Sequence, residues 1–413
     1  MPASRRTYLR RRIVVFGTLG VLLAGLGYLP MALLAPLTPA TSAAITTTAP
    51  ENPPVELAWP GYGASAIGAV GFPGILATGG STELRTIASI TKIVTSLVSL
   101  DAKPLGEGED GPTITLTSAD AALYHKYFAL RGKVEPVRAG LQLTERQLLT
   151  VTLVSSANNY AESLATWAYG SEGAFLSAAR TWLDAHGLSN TTLLDSTGMN
   201  PGNTSTASDL VELGRIALAD PVVSSIVRMS TATLPYIGTI HNTNELLGVD
   251  GINGIKTGTL DEAGACLLFS ASITVADSAG SEHPIDVVGV ILSGPGHDDH
   301  DVLDAAVRKL LASAVNGFRE VSLVNAGDAY YVYSTPWEQS ARAVATKDES
   351  VLVWAGRAVT ETAAVDPLLT GEAGQEVGSV TFTVGDRTVT VPLALDTALE
   401  GPGLWWRLTH PFG

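Results

Sequence analysis

Cysteine is all but missing from this chain of 413 residues: Cys266 stands alone, so no disulfide can close within one molecule. The expected place for it is as a small buried hydrophobe. Charge is also sparse, at 16% of residues against 46% hydrophobic, which leaves material for a large core and room for two domains. Of the two signs, the basic one is the scarcer. The net charge is −15, and once the five arginines before residue 13 are set aside, 20 basic residues face 40 acidic ones. Nucleic acid is therefore excluded as a partner. Neither His-Glu-x-x-His nor Gly-x-Ser-x-Gly occurs, which removes the footing of a zinc peptidase or an α/β-hydrolase. His297 and His300, with aspartates between and after them, look like a metal cluster. Acids also gather at helix starts, however, and residues 302–311 carry a helical pattern, so a solvated loop is expected and no metal or cofactor is implied.

What is present begins at the N-terminus. Arg5, Arg6, Arg10, Arg11 and Arg12 precede an uncharged apolar stretch over 13–35, and no acid comes before Glu51. That pattern is an export signal. At about 1.5 Å per residue the stretch is long enough to cross a hydrocarbon core of about 30 Å. Pro30 shortens the run, and the small residues of 40–44 offer a cleavage site, so secretion after cleavage is the alternative to a retained membrane anchor. Anchoring is the preferred reading of residues 1–35, with everything after Pro36 extracytoplasmic, in the cell envelope. Residues 36–54, rich in Pro, Thr and Ala, read as an extended linker. Residues 55–317 mix strand and helix patterns and form the expected catalytic domain. From 318 to 413 short alternating runs at 328–333, 350–354, 379–384 and 387–393 predict a small all-β domain.

Three short motifs carry the chemistry: Ser89-Ile90-Thr91-Lys92, Ser156-Ala157-Asn158 and Lys256-Thr257-Gly258. Each alone is weak, but the chain has only seven lysines, and one falls in each lysine-bearing motif. Ile90, Ile93, Val94, Leu97 and Val98 mark one buried stripe of a helix that Ser89 opens. Residues three apart share a helix face, so Lys92 can reach the Ser89 hydroxyl. Desolvation and a second cation, Lys256, favour a neutral Lys92 that takes the serine proton in place of histidine. Ser156 and Asn158 lie between two helical runs, 145–154 and 160–167. There Ser156 is suited to passing a proton to a leaving amine, and Asn158 to holding Lys92 and a substrate amide. The third motif falls on a strand over 252–260 that turns at 261–264 and returns over 265–275. Gly258 leaves room for a substrate backbone to pair alongside, and Lys256, Thr257 and Thr259 make a carboxylate site. The backbone N–H groups of Ser89 and Thr259 are the candidate oxyanion hole.

On these motifs the chain resembles the D-alanyl-D-alanine carboxypeptidases, the low-molecular-mass penicillin-binding proteins among the penicillin-recognising serine enzymes. The likeness covers roughly residues 65–318. Residues 88–95, 155–165 and 251–265 look like its three motif segments, and 195–200 and 205–210 also look like family stretches. The resemblance implies an α/β fold of the β-lactamase/transpeptidase type: an antiparallel sheet flanked by helices beside a helical lobe, then a small C-terminal all-β domain, with the apolar helix at the N-terminus. It implies catalytic roles for Ser89, Lys92, Ser156 and Asn158, and substrate binding by Lys256, Thr257, Gly258 and Thr259. The substrate would be a peptidoglycan stem peptide ending in D-Ala-D-Ala, and β-lactam antibiotics would be inhibitors. Ser89 would attack the penultimate D-alanine carbonyl and pass the acyl group to water. Where relatives often carry an arginine before the last helix, this chain reads Gly296 to His300. After Gly258 it has Thr259 and Leu260 in place of an aromatic or histidine and then threonine. A class A β-lactamase would want Asp where Ala157 stands and a deacylating Glu; a catalytically silent wall-binding or sensor protein of this fold is the non-enzymatic alternative.

Overall fold

The computed structural model describes residues 5–278, 280–296 and 300–411. The chain separates into two compact units, one built from 54–319 and the other from 1–53 together with 320–413. The second opens with helix α1 (Arg5–Leu34), which is long and apolar enough to cross a membrane. Strand β1 (Thr41–Ala44) follows.

In the unit 54–319 an all-antiparallel sheet is formed by β2 (Ala64–Ala69), β3 (Phe72–Gly80), β4 (Ile252–Leu260), β5 (Gly264–Ala276) and β6 (Glu282–Gly294), in the order β4-β5-β6-β2-β3. The long strands are apolar on both sides, because both faces are covered. Leu268, Val288, Val290 and Leu292 join the core shared with the helices, while the alternating residues Leu267, Phe269, Val287 and Ile291 are equally buried. Helices are α2 (Thr91–Ala102), α3 (Ser118–Ala129), α4 (Glu145–Val154), α5 (Asn158–Tyr169), α6 (Glu172–Ala185), α7 (Ala207–Ala219), α8 (Pro221–Val227) and α9 (Asp301–Val315). α7 packs on β2 and β6, and α9 on β5 and β6. Capping boxes start α3 (Thr117 with Asp120) and α4 (Thr144 with Gln147), which explains their sharp N-terminal ends.

α2 is the centre of the helical lobe, packed against α4, α5 and α6. Its predicted stripe is fully buried, but so is the opposite side: every residue from Thr91 to Leu100 is buried, including Lys92, Thr95, Ser96 and Ser99. The apolar periodicity thus identified one core face of a helix that has neighbours all round. A polar side with this much burial must find partners within the protein.

In the other unit β7 (Phe318–Val324) pairs with β10 (Glu349–Trp354). A six-stranded sheet runs β1-β8-β9-β13-β12-β11, with β8 (Ala329–Ser334), β9 (Ser340–Ala345), β11 (Val359–Val365), β12 (Glu376–Val384) and β13 (Arg387–Leu395). A short helix, α10 (Leu404–Thr409), follows. Tyr333, Val380, Phe382, Val391 and Leu393 form its fully buried centre. Residues 36–54, expected as a linker, are extended but not free: β1 pairs antiparallel with β8, Thr41 opposite Ser334 and Ala44 opposite Tyr331. The alternating small residues let the backbone close an open sheet edge whose N–H and C=O groups would otherwise lack partners.

Candidate active site

Ser89, expected to open the helix, sits in a single 3₁₀ turn, Ala88–Ile90, immediately before α2. Ala88 in this turn is left-handed, with φ of 44°, a conformation that costs a non-glycine residue about 1–3 kcal/mol and persists only where the surroundings enforce it. Two glycines do so. A Cβ on Gly198, itself at φ +86°, would lie 2.0 Å from the Ala88 carbonyl oxygen, and one on Gly258 would lie 2.9 Å from the Ile87 oxygen and 3.3 Å from the Ser89 nitrogen. The space that Gly258 leaves is therefore filled by the turn carrying Ser89, whereas the sequence reading kept it for a substrate strand.

Lys92 is fully buried. Its Nζ stands 2.9 Å from Ser89 Oγ, 2.7 Å from Asn158 Oδ1 and 2.7 Å from the Thr197 carbonyl oxygen. Two of these partners can only accept. A neutral amine has two N–H bonds and one lone pair, so donation to Asn158 and Thr197 leaves the lone pair facing the Ser89 hydroxyl. Burial pulls the Lys92 pKa from 10.5 down to about 7, with the Asp195 carboxylate opposing and the Lys133 ammonium reinforcing. The shift brings the neutral, basic form of the amine within reach of neutral pH.

The acceptor Thr197 belongs to a loop built on Asp195. The Asp195 carboxylate accepts from the N–H groups of Thr197, Gly198 and Asn200 at 2.9, 2.7 and 2.7 Å and from Asn203 Nδ2 at 3.0 Å. Asn203 also donates to Thr91 Oγ1 on α2 at 3.0 Å, and Thr95 Oγ1 donates to the Ser196 oxygen at 2.7 Å. Thr91 and Thr95 on the polar side of α2 thereby find partners, and the loop is set so that Gly198 abuts the nucleophile turn while Thr197 meets Lys92. The likeness of 195–200 to a family stretch marked this segment, but nothing in its pattern indicated the lysine contact.

Ser156 is buried and left-handed, with φ of 63°. Asn158 is the first residue of α5, whose N-cap is Ala157, so its side chain is free of capping and reaches Lys92. Its N–H donates to the Lys133 oxygen at 2.8 Å.

Lys256 on β4 is buried, and its Nζ makes long contacts, 3.3 Å to Thr243 Oγ1, 3.2 Å to the Thr257 oxygen and 3.5 Å to Thr257 Oγ1. Burial first, then the cations Lys92 and Lys133, hold its pKa well below the ordinary lysine value. Lys133 is lowered too, by burial, with Glu135 and Glu245 opposing. Lys256, whose depressed pKa has only burial and like charges as its causes, is the amine that an anionic ligand would best complement.

These groups open on a cleft of about 560 Å³ lined by Ser89, Ser156, Asn158, Thr257 and Thr259, and also by Arg131, Lys133, Thr243, Glu245 and His300. The second set was not anticipated. Arg131, Lys133, Thr243 and Glu245 fall in loops without a motif, and only the fold brings them to the cleft. His300 was expected in a solvated loop, yet its Nε2 lies 2.9 Å from Thr259 Oγ1. His297, Asp298 and Asp299 lie outside the described residues, and among the described residues no group of three potential metal ligands gathers. Cys266 is fully buried opposite Gly258, its thiol pKa pushed up to about 11 by burial.

The family model for D-alanyl-D-alanine carboxypeptidase, peptidase S11, matches residues 73–279. A D-alanyl-D-alanine endopeptidase of Pseudomonas aeruginosa is 33% identical over 195 residues, covering 45% of this chain and 59% of that protein. One from Escherichia coli is 32% identical, covering 46% and 60%. The chain thus spans about three fifths of the length of these curated relatives. The D-alanyl-D-alanine carboxypeptidase DacA of Escherichia coli is 25% identical over 76% of this chain and 77% of its own. Among solved structures, penicillin binding protein 5 of Haemophilus influenzae superposes with a TM-score of 0.57 at 19% identity, over 84% of this chain and 98% of that one. PBP3 of Streptococcus pneumoniae gives 0.57 at 24%, over 84% and 100%. At these identities the superpositions speak for the fold.

Proposed function

The chain belongs to the D-alanyl-D-alanine carboxypeptidase family, and on that premise we propose that it is a penicillin-sensitive serine D,D-carboxypeptidase. It removes the terminal D-alanine from peptidoglycan stem peptides through an acyl-enzyme. The observation that carries this reading is the disposition of Lys92, whose two donor contacts leave one lone pair 2.9 Å from the Ser89 hydroxyl.

Each residue has one task in the reaction. Lys92 takes the Ser89 proton as Oγ bonds to the penultimate D-alanine carbonyl carbon. The oxyanion accepts from the N–H groups of Ser89 and Thr259, and the contact of β4 with the nucleophile turn at Gly258 supports that pairing. As the peptide C–N bond breaks, the proton reaches the departing D-alanine nitrogen through Ser156. The terminal carboxylate meets Lys256, Thr257 and Thr259, and its charge favours the ammonium form of Lys256 against the burial that opposes it. Water then attacks the ester, with Lys92 again accepting a proton, and Ser89 is released. The helix α1 holds the enzyme in the membrane with the rest of the chain outside, a reading supported by the arginines before it and its uncharged length.

The test is incubation of the full chain in detergent with a diacetylated tripeptide ending in D-Ala-D-Ala, followed by assay of free D-alanine, with Ser89→Ala as control. No release, together with no covalent penicillin labelling, overturns the proposal in favour of a silent wall-binding protein. A penicillin adduct cleared in under a second indicates a β-lactamase instead. The endopeptidase names of two relatives near one third identity favour a second reading, cleavage of cross-linked dimers, which the same assay separates when dimeric muropeptides are supplied.

A further inference from the structure

We propose that Asn159 is a positioning residue for acylation: it holds the 131–136 segment, and with it Lys133, as a fixed wall of the cleft. The proposal rests on the reading of Ser89 as the nucleophile that penicillin and stem peptides acylate.

The segment depends on outside partners. Residues 132–138 belong to no helix or strand, so their backbone N–H and C=O groups must be satisfied by neighbours or by water. Arg131 turns left-handed to enter the segment, with φ of 57°, and the Gly132 N–H donates back to the Tyr127 oxygen at 2.9 Å. The start of α5 supplies the next contacts. Asn159 is 1% exposed, and its carboxamide meets both backbone groups of one residue: Oδ1 accepts from the Glu135 N–H at 3.1 Å, and Nδ2 donates to the Glu135 oxygen at 3.0 Å. Two paired residues of antiparallel strands exchange hydrogen bonds in this way, and here a side chain takes the place of one of them. A carboxylate could only accept, and an aliphatic side chain could do neither. On either side of Asn159, the Asn158 N–H donates to the Lys133 oxygen at 2.8 Å, and Tyr160 Oη donates to the Pro136 oxygen at 2.8 Å.

The support is mutual. Ala157, the N-cap of α5, gives the helix no side-chain cap, and the Lys133 carbonyl accepts from the Asn158 N–H, one of those that a helix start leaves without an internal partner. A Cβ on Gly132 would lie 2.3 Å from Asn158 Nδ2 and 3.2 Å from Met199 Sδ. The segment therefore runs directly against the amide whose oxygen accepts from Lys92. Asn159 ties that segment to the helical turn that holds the base.

What the wall carries is charge. Lys133 lines the cleft. Burial first, and then the Lys133 ammonium, lowers the pKa of both Lys92 and Lys256; Asp195 opposes this at Lys92, and Lys92 adds to it at Lys256. Lys133 itself is lowered by burial against the carboxylates of Glu135 and Glu245. Coulomb energy falls with distance and with solvent around the charge, so a Lys133 released to swing into water loses influence on Lys92, which then keeps its proton to higher pH. The sign is opposite to that of losing the Asp195 carboxylate.

Penicillin acylation of the full chain in detergent, followed against pH, tests this in Asn159→Ala, in Lys133→Met and in the double variant. Lys133→Met should move the acylation limb to higher pH, and Asn159→Ala should move it the same way by as much or less, with acylation at pH 7 falling severalfold. In the Lys133→Met background Asn159→Ala should add no further shift. A slower Asn159→Ala whose limb stays at the wild-type pH marks a merely structural residue and refutes the proposal, and so does a double variant in which the two shifts add. Pro136→Gly loosens the segment without altering α5, and it decides the matter if Asn159→Ala does not fold: a limb moved to higher pH supports the proposal, and an unmoved limb overturns it. A wild type that takes no label overturns the functional reading, and the proposal with it.

Discussion

Replacing Lys92 with methionine removes the proposed base and, in the same step, the one basic side chain of α2, which is fully buried. In the unfolded chain the amine titrates at 10.5, in the folded protein at about 7. Between these values the unfolded chain binds more protons, so this group's contribution to stability rises with pH and is least favourable below pH 7. At 1.36 kcal/mol per pH unit its cost is about 4 kcal/mol at pH 7 and about 2 kcal/mol at pH 9. The wild type should therefore gain about 2 kcal/mol relative to Lys92→Met between pH 7 and pH 9. Lys256 acts in the same direction, since losing the Lys92 cation raises its pKa and flattens the variant's own pH dependence. The stability of α2 can be followed through its urea midpoint by pulsed hydrogen exchange at the two pH values, with penicillin labelling in parallel. Acylation should fall about 10²–10⁴-fold in the variant, and in the wild type should rise with pH through about 7. A stability difference that does not move between pH 7 and 9, or labelling of Lys92→Met at the wild-type rate, refutes both the neutral amine and its role.

Gly198→Ala sets a methyl 2.0 Å from the Ala88 oxygen at a φ of +86°. It should displace the nucleophile turn and cut penicillin acylation more than 100-fold, while the α5 and α6 amides keep their exchange protection; unchanged acylation would show that the turn does not depend on this contact. Asp195→Ala leaves three backbone N–H groups without their carboxylate and should cost about 2–4 kcal/mol on the same α2 measurement. In addition, the acylation pH limb should move to lower pH, because a charge favouring the Lys92 ammonium is gone. Phe382→Ala, in the centre of the six-stranded sheet, should destabilise its unit by about 3–5 kcal/mol with penicillin labelling at the wild-type rate. Lost labelling would show that acylation depends on this core.

Much of the fold was legible because local pattern and burial agreed. The 145–154 helix lies between its capping box and its predicted end, and the 252–260 strand, its turn and its return stand where the alternation and the Asp-Glu-Ala-Gly run set them. Within the β-rich unit, β9 and β11 went unread: Ser340–Ala345 and Val359–Val365 alternate small and polar residues with little apolar contrast, and pairing with neighbours defines them. β1 was invisible for the same reason, since an edge strand of Thr, Ser and Ala gains its order from β8. Ser89 was placed at a helix start, but the 3₁₀ turn with left-handed Ala88 follows from contacts with Gly198 and Gly258, respectively 109 and 169 positions downstream. No local propensity encodes such a contact.

By itself the sequence determined the chemical inventory: one hydroxyl three residues from one lysine, a second lysine on a strand, a charged N-terminus before an apolar run, and no cysteine pair, zinc motif or basic surface to support another reading. Those are matters of residue type and short spacing, which local geometry translates directly. Tertiary structure alone decided how the lysine became a base. Its complete burial, the Thr197 oxygen and Asn158 amide that occupy its N–H bonds, the Asp195 loop that carries Thr197, and the His300 and Arg131 walls of the cleft come from segments far apart in the chain. Desolvation and hydrogen-bond direction depend on everything packed around a group, and that environment exists only once the chain has folded.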